Sequence, residues 1–494
     1  MPMPLPSTSA GRLVLLAGAV VVFAASPALG QRTVAAELLL ATGQPLPGVG
    51  GTILELDTPV VDADGKVGLN GKATIAGIDR TFVFVESSPP FIDSTAPAGY
   101  TLSGREISMG VSPGGQFVYS PSVNGNDAIW SSSGYVIANR DPAPGVSGKY
   151  IKFASGPRMA AGGLFTFMAG FSSAPGGTTT DRAVYQGRVG VPGLTLLYKT
   201  GDTIDGQLIR FTTPNLSFKY DVSNNGQHLI HISGVGAGSG STWVLKDRTW
   251  IAQPATQLPG SIYANEAWNT FSGVGVNDAG DWIIFGASSN YDDPASNDFV
   301  AFNGVDTLHE NQTVDGLTLA SPASVRAAAL NNLGRIAMLW QYGTTTAPTP
   351  KALVVGEGGT LAQSVVVVAS GDLLDVNGDG TPDWRVVDLP ENNSVGIGLD
   401  LADDGRVATT CTLEPLAGGA RFSATVRFCY ENCSSCPACP SDFNQDGGID
   451  GGDIEAFFSS WTAGQPCSDV NQDGGVDGGD IERFFILWEN GNCN

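Results

Sequence analysis

One feature recurs along most of this chain and limits what it can fold into: a short polar cluster closing on glycine, followed at once by an apolar run. It occurs as Asp62-Ala63-Asp64-Gly65 before Lys66-Val67, as Ser112-Pro113-Gly114-Gly115 before Phe117-Val118-Tyr119, and as Ala160-Ala161-Gly162-Gly163 before Leu164-Phe165. It returns as Ser223-Asn224-Asn225-Gly226 before Leu229-Ile230, and most clearly as Asn277-Asp278-Ala279-Gly280 before Trp282-Ile283-Ile284-Phe285. Asn331-Asn332-Leu333-Gly334 before Ile336-Ala337-Met338 and Ala402-Asp403-Asp404-Gly405 before Val407-Ala408 complete the series. Asn and Asp start tight turns by bonding their own backbone, and glycine supplies the positive φ such a turn needs. Each copy therefore predicts the tip of a β-hairpin.

The spacing points to one structural unit used repeatedly. Gly226, Gly280 and Gly334 are 54 residues apart, and the other intervals run from 48 to 71. A second apolar run follows most turns, as in Thr81-Phe82-Val83-Phe84, Phe299-Val300-Ala301-Phe302 and Ala352-Leu353-Val354-Val355. Short strands at this density without helical periodicity predict a mainly β chain, a β-propeller of about seven four-stranded blades. Six blades or a β-solenoid also fit, because the second and third copies lack the Asn-Asp signature. The strand Val34 to Leu40 precedes the first turn and is expected to complete the last blade beside Ala424 to Phe428, removing two sheet edges. From about Thr33 to Phe428 the pattern resembles an uncharacterised repeat family of secreted planctomycete-type bacterial proteins. That resemblance implies a propeller-like fold and no known activity.

The C-terminus carries a different repeat. Asp442-Phe443-Asn444-Gln445-Asp446-Gly447-Gly448-Ile449-Asp450-Gly451-Gly452-Asp453 is followed by Ile454, Phe457, Phe458 and Trp461. Asp469-Val470-Asn471-Gln472-Asp473-Gly474-Gly475-Val476-Asp477-Gly478-Gly479-Asp480 is followed by Ile481, Phe484, Phe485 and Trp488. Calcium takes about six to eight hard oxygens in a flexible loop of this spacing. The side chains of Asp442, Asn444 and Asp446 are expected to bind one ion with the Gly448 carbonyl, Asp450 and Asp453. Asp469, Asn471, Asp473, Gly475, Asp477 and Asp480 are the equivalent set for a second. The apolar residues after each loop put one buried stripe on an exiting helix.

No entering helix is expected before either loop, since Cys439-Pro440-Ser441 and Gln465-Pro466-Cys467 stand there. This loop-then-helix form, duplicated from about Cys439 to Cys493, resembles a type I dockerin bounded by cysteines. The resemblance implies calcium-dependent attachment to a cohesin-like protein or an envelope scaffold. Where the family commonly carries polar recognition residues, this chain has Gly451-Gly452 and Gly478-Gly479, which leaves the class of cohesin open. The alternative is a calcium-stapled cap on the propeller. A third calcium candidate is Asp375, Asn377, Asp379, Thr381 and Asp383, although Val386 occupies the position of the usual last carboxylate.

Arg12 precedes an apolar run, Leu13 to Ala25, too short for a comfortable membrane span, and Ala28-Leu29-Gly30 has the form of a cleavage signal. The expected organisation is a signal peptide over 1–30, a repeat domain over 33–430, a Cys/Pro linker over 431–440 and the calcium module over 441–494. Export places the chain outside the cytoplasm, extracellular or at the cell surface, with no membrane span in the mature form. With 25 basic and 48 acidic residues the net charge is −23, which argues against nucleic acid and anionic membranes as partners. All seven cysteines lie between Cys411 and Cys493, and in an oxidising compartment disulfides are the better reading than zinc. Cys439 or Cys493 is expected to be oxidised, with Cys467 as the competing partner for Cys493.

Catalytic signals are weak. Gly110-Val111-Ser112-Pro113-Gly114 has the form of a hydrolase elbow but leads into a strand rather than a helix. His228 and His231 are three apart on a predicted strand and so face opposite ways. His309 stands beside Glu310 with no visible partner, and Gly234 to Gly238 has no following helix with which to hold a phosphate. No catalytic residue is assigned. The favoured expectation is a non-catalytic binding and display protein, with polysaccharide among its candidate ligands. The rival is a dockerin-anchored carbohydrate-active enzyme whose active site lies in the propeller loops.

Overall fold

The computed structural model describes residues 32–491 apart from 87, 105–108, 212–219, 234, 236–241, 290–296, 320–323, 343–348, 359–363, 377–380, 391–398, 431–438, 445–447, 463–465, 469 and 472–475. The expected signal segment over 1–30, most of Gly234 to Gly238, Asn377, Asp379, Asp446, Asp469, Asp473, Gly475, Cys433, Cys436 and Cys493 lie outside the described residues. Among the described residues no helix is long and apolar enough to cross a membrane.

Among the described residues seven sheets of at least four strands follow one another along the chain, antiparallel but for one parallel pairing of Thr33–Ala41 with Leu373–Asp375 in the last. In blades 2 to 6 the first strands are Met109–Ser112, Tyr150–Met159, Tyr220–Val222, Ala267–Val276 and Ser324–Leu330. Blade 1 splits its inner edge between Thr52–Leu56 and Val60–Val61, which both pair with Val67–Ile75. Blade 7 begins at Leu399–Leu401 and continues through Arg406–Pro415 and Phe422–Cys429. The inner strands contact one another in sequence, and the ring closes between Val60–Val61 and Leu399–Leu401. The fold is a seven-bladed β-propeller.

Closure works as the sequence suggested. Thr33–Ala41 pairs antiparallel with Phe422–Cys429, setting Ala36 opposite Phe428 and Ala41 opposite Ala424. The first strand of the chain thus becomes the fourth strand of the last blade. Arg427 fastens the seam: its Nε donates to Glu37 at 2.9 Å, and its Nη1 reaches Glu86 at 2.8 Å and the Gly65 carbonyl at 3.0 Å. Glu86 and Gly65 belong to blade 1, so one guanidinium ties the two ends of the ring.

The core sits in wedges between blades. Ile283 and Phe285 pack toward blade 6 with Ile336, Met338 and Trp340. Ile284, between them in sequence, packs the other way toward Leu229 and Val244 of blade 4. Both faces of such a strand are buried, so it reads as a continuous apolar run rather than an alternating one. Each fully buried side chain of this size contributes about 2 kcal/mol. All seven predicted tip glycines, Gly65, Gly115, Gly163, Gly226, Gly280, Gly334 and Gly405, have positive φ between 74° and 89°. Each lies at the turn from the first strand of a blade to the second.

Two helices follow near the C-terminus, α1 (Gly451–Thr462) and α2 (Gly478–Asn490). Phe457 and Phe484 stack with ring centres 4.1 Å apart and planes 3° from parallel. Cys411 is buried as a free thiol within the blade 6–7 core, whereas Cys429, Cys439 and Cys467 take part in disulfides.

Candidate functional site

The C-terminal loops place their described candidate ligands together in the same way twice. Asp453 is fully buried; its Oδ1 accepts from Asn444 N at 3.1 Å and its Oδ2 from Asp450 N at 2.8 Å. Asp480 repeats this with Asn471 N at 3.1 Å and Asp477 N at 2.8 Å. The carboxylate at the end of each loop therefore folds back over the loop it closes. Asp477 also caps α2, accepting from Gly479 N at 2.8 Å in a reciprocal box with Asp480. Of the four glycines that stand where the dockerin resemblance expects polar residues, Gly451 and Gly478 face open space, whereas Gly452 and Gly479 are crowded. A Cβ on Gly452 would stand 2.9 Å from Asn444 Nδ2, and one on Gly479 2.8 Å from Asn471 Nδ2. The asparagine at the third loop position fills the space a side chain at the eleventh would need.

The halves are joined crosswise. Trp461 on α1 donates its indole N–H to the Asp477 carbonyl, and Trp488 on α2 donates to the Asp450 carbonyl, both at 2.9 Å. Each helix thus braces the loop that precedes the other. In the third candidate, Asp375 is buried at the end of Leu373–Asp375, and Asp383 Oδ2 accepts from Val376 N at 3.2 Å. Asp375 and Asp383 flank a hairpin that pairs Leu373 with Arg385.

A second concentration of polar groups surrounds the propeller axis, around a cavity of about 140 Å³. The turn residues that mark the sequence repeat interlock there. Asn224 Nδ2 donates to Asp278 Oδ2 at 2.6 Å, Asp278 N to Asn332 Oδ1 at 2.9 Å, and Asn332 Nδ2 to Asp403 Oδ2 at 2.9 Å. The first turn residue works in both directions. Asn331 Oδ1 accepts from Arg335 N at 2.8 Å within its own turn, while its Nδ2 reaches the Ala402 carbonyl of the next blade at 3.0 Å. Asn277 does the same to Asp281 N and the Asn331 carbonyl. The repeat thus records contact between blades as well as turn chemistry.

Deeper on the axis, Asp221 accepts from Val276 N of the next blade at 3.0 Å, and Asp400 accepts from Val61 N of blade 1 at 2.8 Å. Burial raises both carboxyls, Asp400 to about 6, and the Arg158 guanidinium opposes the rise in both. These carboxylates hold neighbouring blades together. Sequence reading missed them, since each looks like one polar residue in a short strand.

Blade 5 corrects the reading of His309. Its ring is fully buried, and Nε2 lies 2.7 Å from Glu266 Oε1, a partner 43 residues earlier in the chain. The loop before Ala267–Val276 folds back on the outer strand Val305–His309, with Asp306 N donating to the Pro259 carbonyl at 2.8 Å. The hydroxyls of Ser261 and Ser288 both donate to the Glu266 carboxylate. Glu266 directly before the apolar Ala267-Trp268 was the signal in the sequence: an acid at a blade boundary needs a buried partner. The remaining weak motifs stay structural. Ser112 is buried and bonds Gln116 at 3.1 Å in the blade 2 turn, and His231 is buried while His228 is partly exposed on the same strand.

A model described as a family of unknown function (DUF7453) matches residues 95–339, which takes in blades 2 to 5, the first strand of blade 6 and part of its second. No curated protein matches the chain. Among solved structures it is similar to a protein of unknown function from Dyadobacter fermentans, at 11% identity and TM-score 0.32, covering 81% of this chain and all of that one. The Dos1 propeller is 9% identical at TM-score 0.34, with 79% and 95% covered. A gluconolactonase from Xanthomonas campestris is 12% identical at TM-score 0.28, with 82% and 99% covered. At these scores none of the three bears on what this chain does.

Proposed function

We propose that this chain is an exported, non-catalytic binding and display protein, anchored through a calcium-dependent, dockerin-like C-terminal module to a cohesin-like partner or envelope scaffold. The observation that carries the reading is the duplicated, crosswise-braced pair of loops. Asp453 and Asp480 close two loops in the same geometry, and Trp461 and Trp488 couple each loop to the opposite helix. Two calcium ions neutralise a segment that otherwise concentrates eleven acidic residues against one basic residue from Asp442 onward. The axis supports binding over catalysis, because Asp221 and Asp400 are engaged by backbone N–H groups of neighbouring blades. In this reading the propeller presents its surface to a partner or a polysaccharide, and the three oxidised cysteines suit an exported chain.

Fractionation of a bacterium expressing the chain tests the proposal. Wild-type protein is expected in the envelope fraction in calcium and released by a chelator wash, and the Asp453→Ala/Asp480→Ala double variant is expected in the medium. Wild-type protein free in the medium with calcium present would overturn the anchoring role.

A further inference from the structure

The buried group in blade 5 has a charge arrangement that display and docking do not explain. Glu266, Asp306 and His309 offer ligand atoms that all lie within 4.8 Å of one another. The His309 Nδ1 faces the Glu310 carbonyl at 3.0 Å, and a carbonyl only accepts, so Nδ1 carries a hydrogen. In a neutral ring Nε2 then holds a lone pair, pointed at the Glu266 carboxylate 2.7 Å away. Two acceptors in contact inside a protein need a proton or a metal ion between them.

Asp306 favours the metal. Its carboxylate makes no hydrogen bond or ion pair among the described residues, and its Oδ1 is wholly buried. A proton on His309 satisfies Glu266 and still leaves the Asp306 carboxyl, within 4.8 Å, with no hydrogen bond among the described residues. A divalent cation is ligated by all three, and two carboxylates with a neutral imidazole balance its charge. We propose that Glu266, Asp306 and His309 bind a divalent first-row transition-metal ion, with zinc the best match to one imidazole and two carboxylates.

The surroundings have the form expected around a metal site. The Nδ1–H bond to the Glu310 carbonyl fixes the tautomer that presents Nε2, and the Ser261 and Ser288 hydroxyls orient Glu266 from both of its oxygens. Asp306 is half-buried and follows Val305, which is 48% exposed, so it is the member of the group nearest to solvent. An imidazole ligand separates this site from the all-oxygen calcium loops.

The test uses the full chain, stripped with chelator and returned to buffer with calcium in large excess so that the C-terminal loops are filled. Zinc chloride is titrated in by calorimetry, and thermal unfolding is followed with and without zinc. Wild type is expected to take up one equivalent of zinc and to unfold at a higher temperature with it. Asp306→Asn, at the half-buried edge of the site, is expected to keep the fold, bind zinc at least tenfold more weakly and lose the shift in unfolding temperature. His309→Gln is expected to abolish binding. A wild-type chain that takes up no zinc under calcium, or variants that bind it as wild type does, would overturn the proposal.

Discussion

The Trp461 indole N–H donates to the Asp477 main-chain carbonyl at 2.9 Å, so the first helix of the terminal module braces the second of the two candidate ligand loops. Asp477 is a candidate ligand of that loop and the N-cap of α2. A change on α1 should therefore be felt in the opposite half of the module. Trp461→Phe keeps the aromatic bulk and removes the bond, worth about 1 kcal/mol. Calcium affinity of the second loop is expected to fall about fivefold with the first loop little affected, and Trp488→Phe is expected to do the reverse. Terbium luminescence on single-loop backgrounds reads the difference. Equal weakening of both loops by either variant would contradict the crosswise coupling.

Asn331, like Asn277, is expected to be among the most sensitive of the turn residues. It serves Arg335 N in its own turn and the Ala402 carbonyl in the next blade, and it is buried. Asn331→Ala leaves those groups without partners and is expected to cost about 2–4 kcal/mol in urea unfolding. Leu333→Ala two residues away should be nearly neutral, because Leu333 is 61% exposed. Similar costs for the two would mean that the turn, and not the lock between blades, sets stability.

Those turns show how far the sequence could be read. Asn-Asp-x-Gly is local chemistry, so the seven hairpin tips and their positive φ were legible, and the edge-closing role of Val34 to Leu40 followed from counting strands. What the same asparagines do across the ring was not legible, because Asn331 and Ala402 lie 71 residues apart and meet only once the toroid closes. The pairing of Glu266 with His309 was missed for the same reason: they stand 43 positions apart with three strands of blade 5 between them, and no local pattern records that they meet. The candidate calcium loops are proposed from local pattern alone, since every candidate ligand lies within twelve consecutive positions.

Asp400 should make the propeller's stability depend on pH. Its folded pKa is raised by burial to about 6, above the ordinary 3.8, so the fold prefers the protonated form. That preference contributes fully below about pH 4 and is lost as pH rises through about 6. Unfolding free energy from this group is expected to fall by about 2 kcal/mol across that window, the full linkage being reduced because the carboxyl opens on the axial cavity. Asp400→Asn should flatten the slope between pH 4 and pH 6, and an unchanged slope in urea melts would contradict the assignment.

Cys411 is expected to be the one thiol that alkylates without reductant, and only after unfolding. Burial in the blade 6–7 core pushes its pKa up to about 12, so little thiolate forms. Peptide mapping after iodoacetamide treatment should find no label on the native chain and a single label, at Cys411, in denaturant. Label on Cys429, Cys439 or Cys467 in unreduced protein would contradict their oxidation.

Calcium titration of the full chain, wild type against Asp453→Ala/Asp480→Ala, bears most directly on the terminal module. Those two carboxylates close both loops and are fully buried. Calorimetry is expected to show two calcium equivalents in wild type that the double variant lacks, whatever the loop near Asp375 contributes to both. Identical heats and stoichiometry in the two proteins would contradict calcium binding by the module, and with it the anchoring role proposed for this chain.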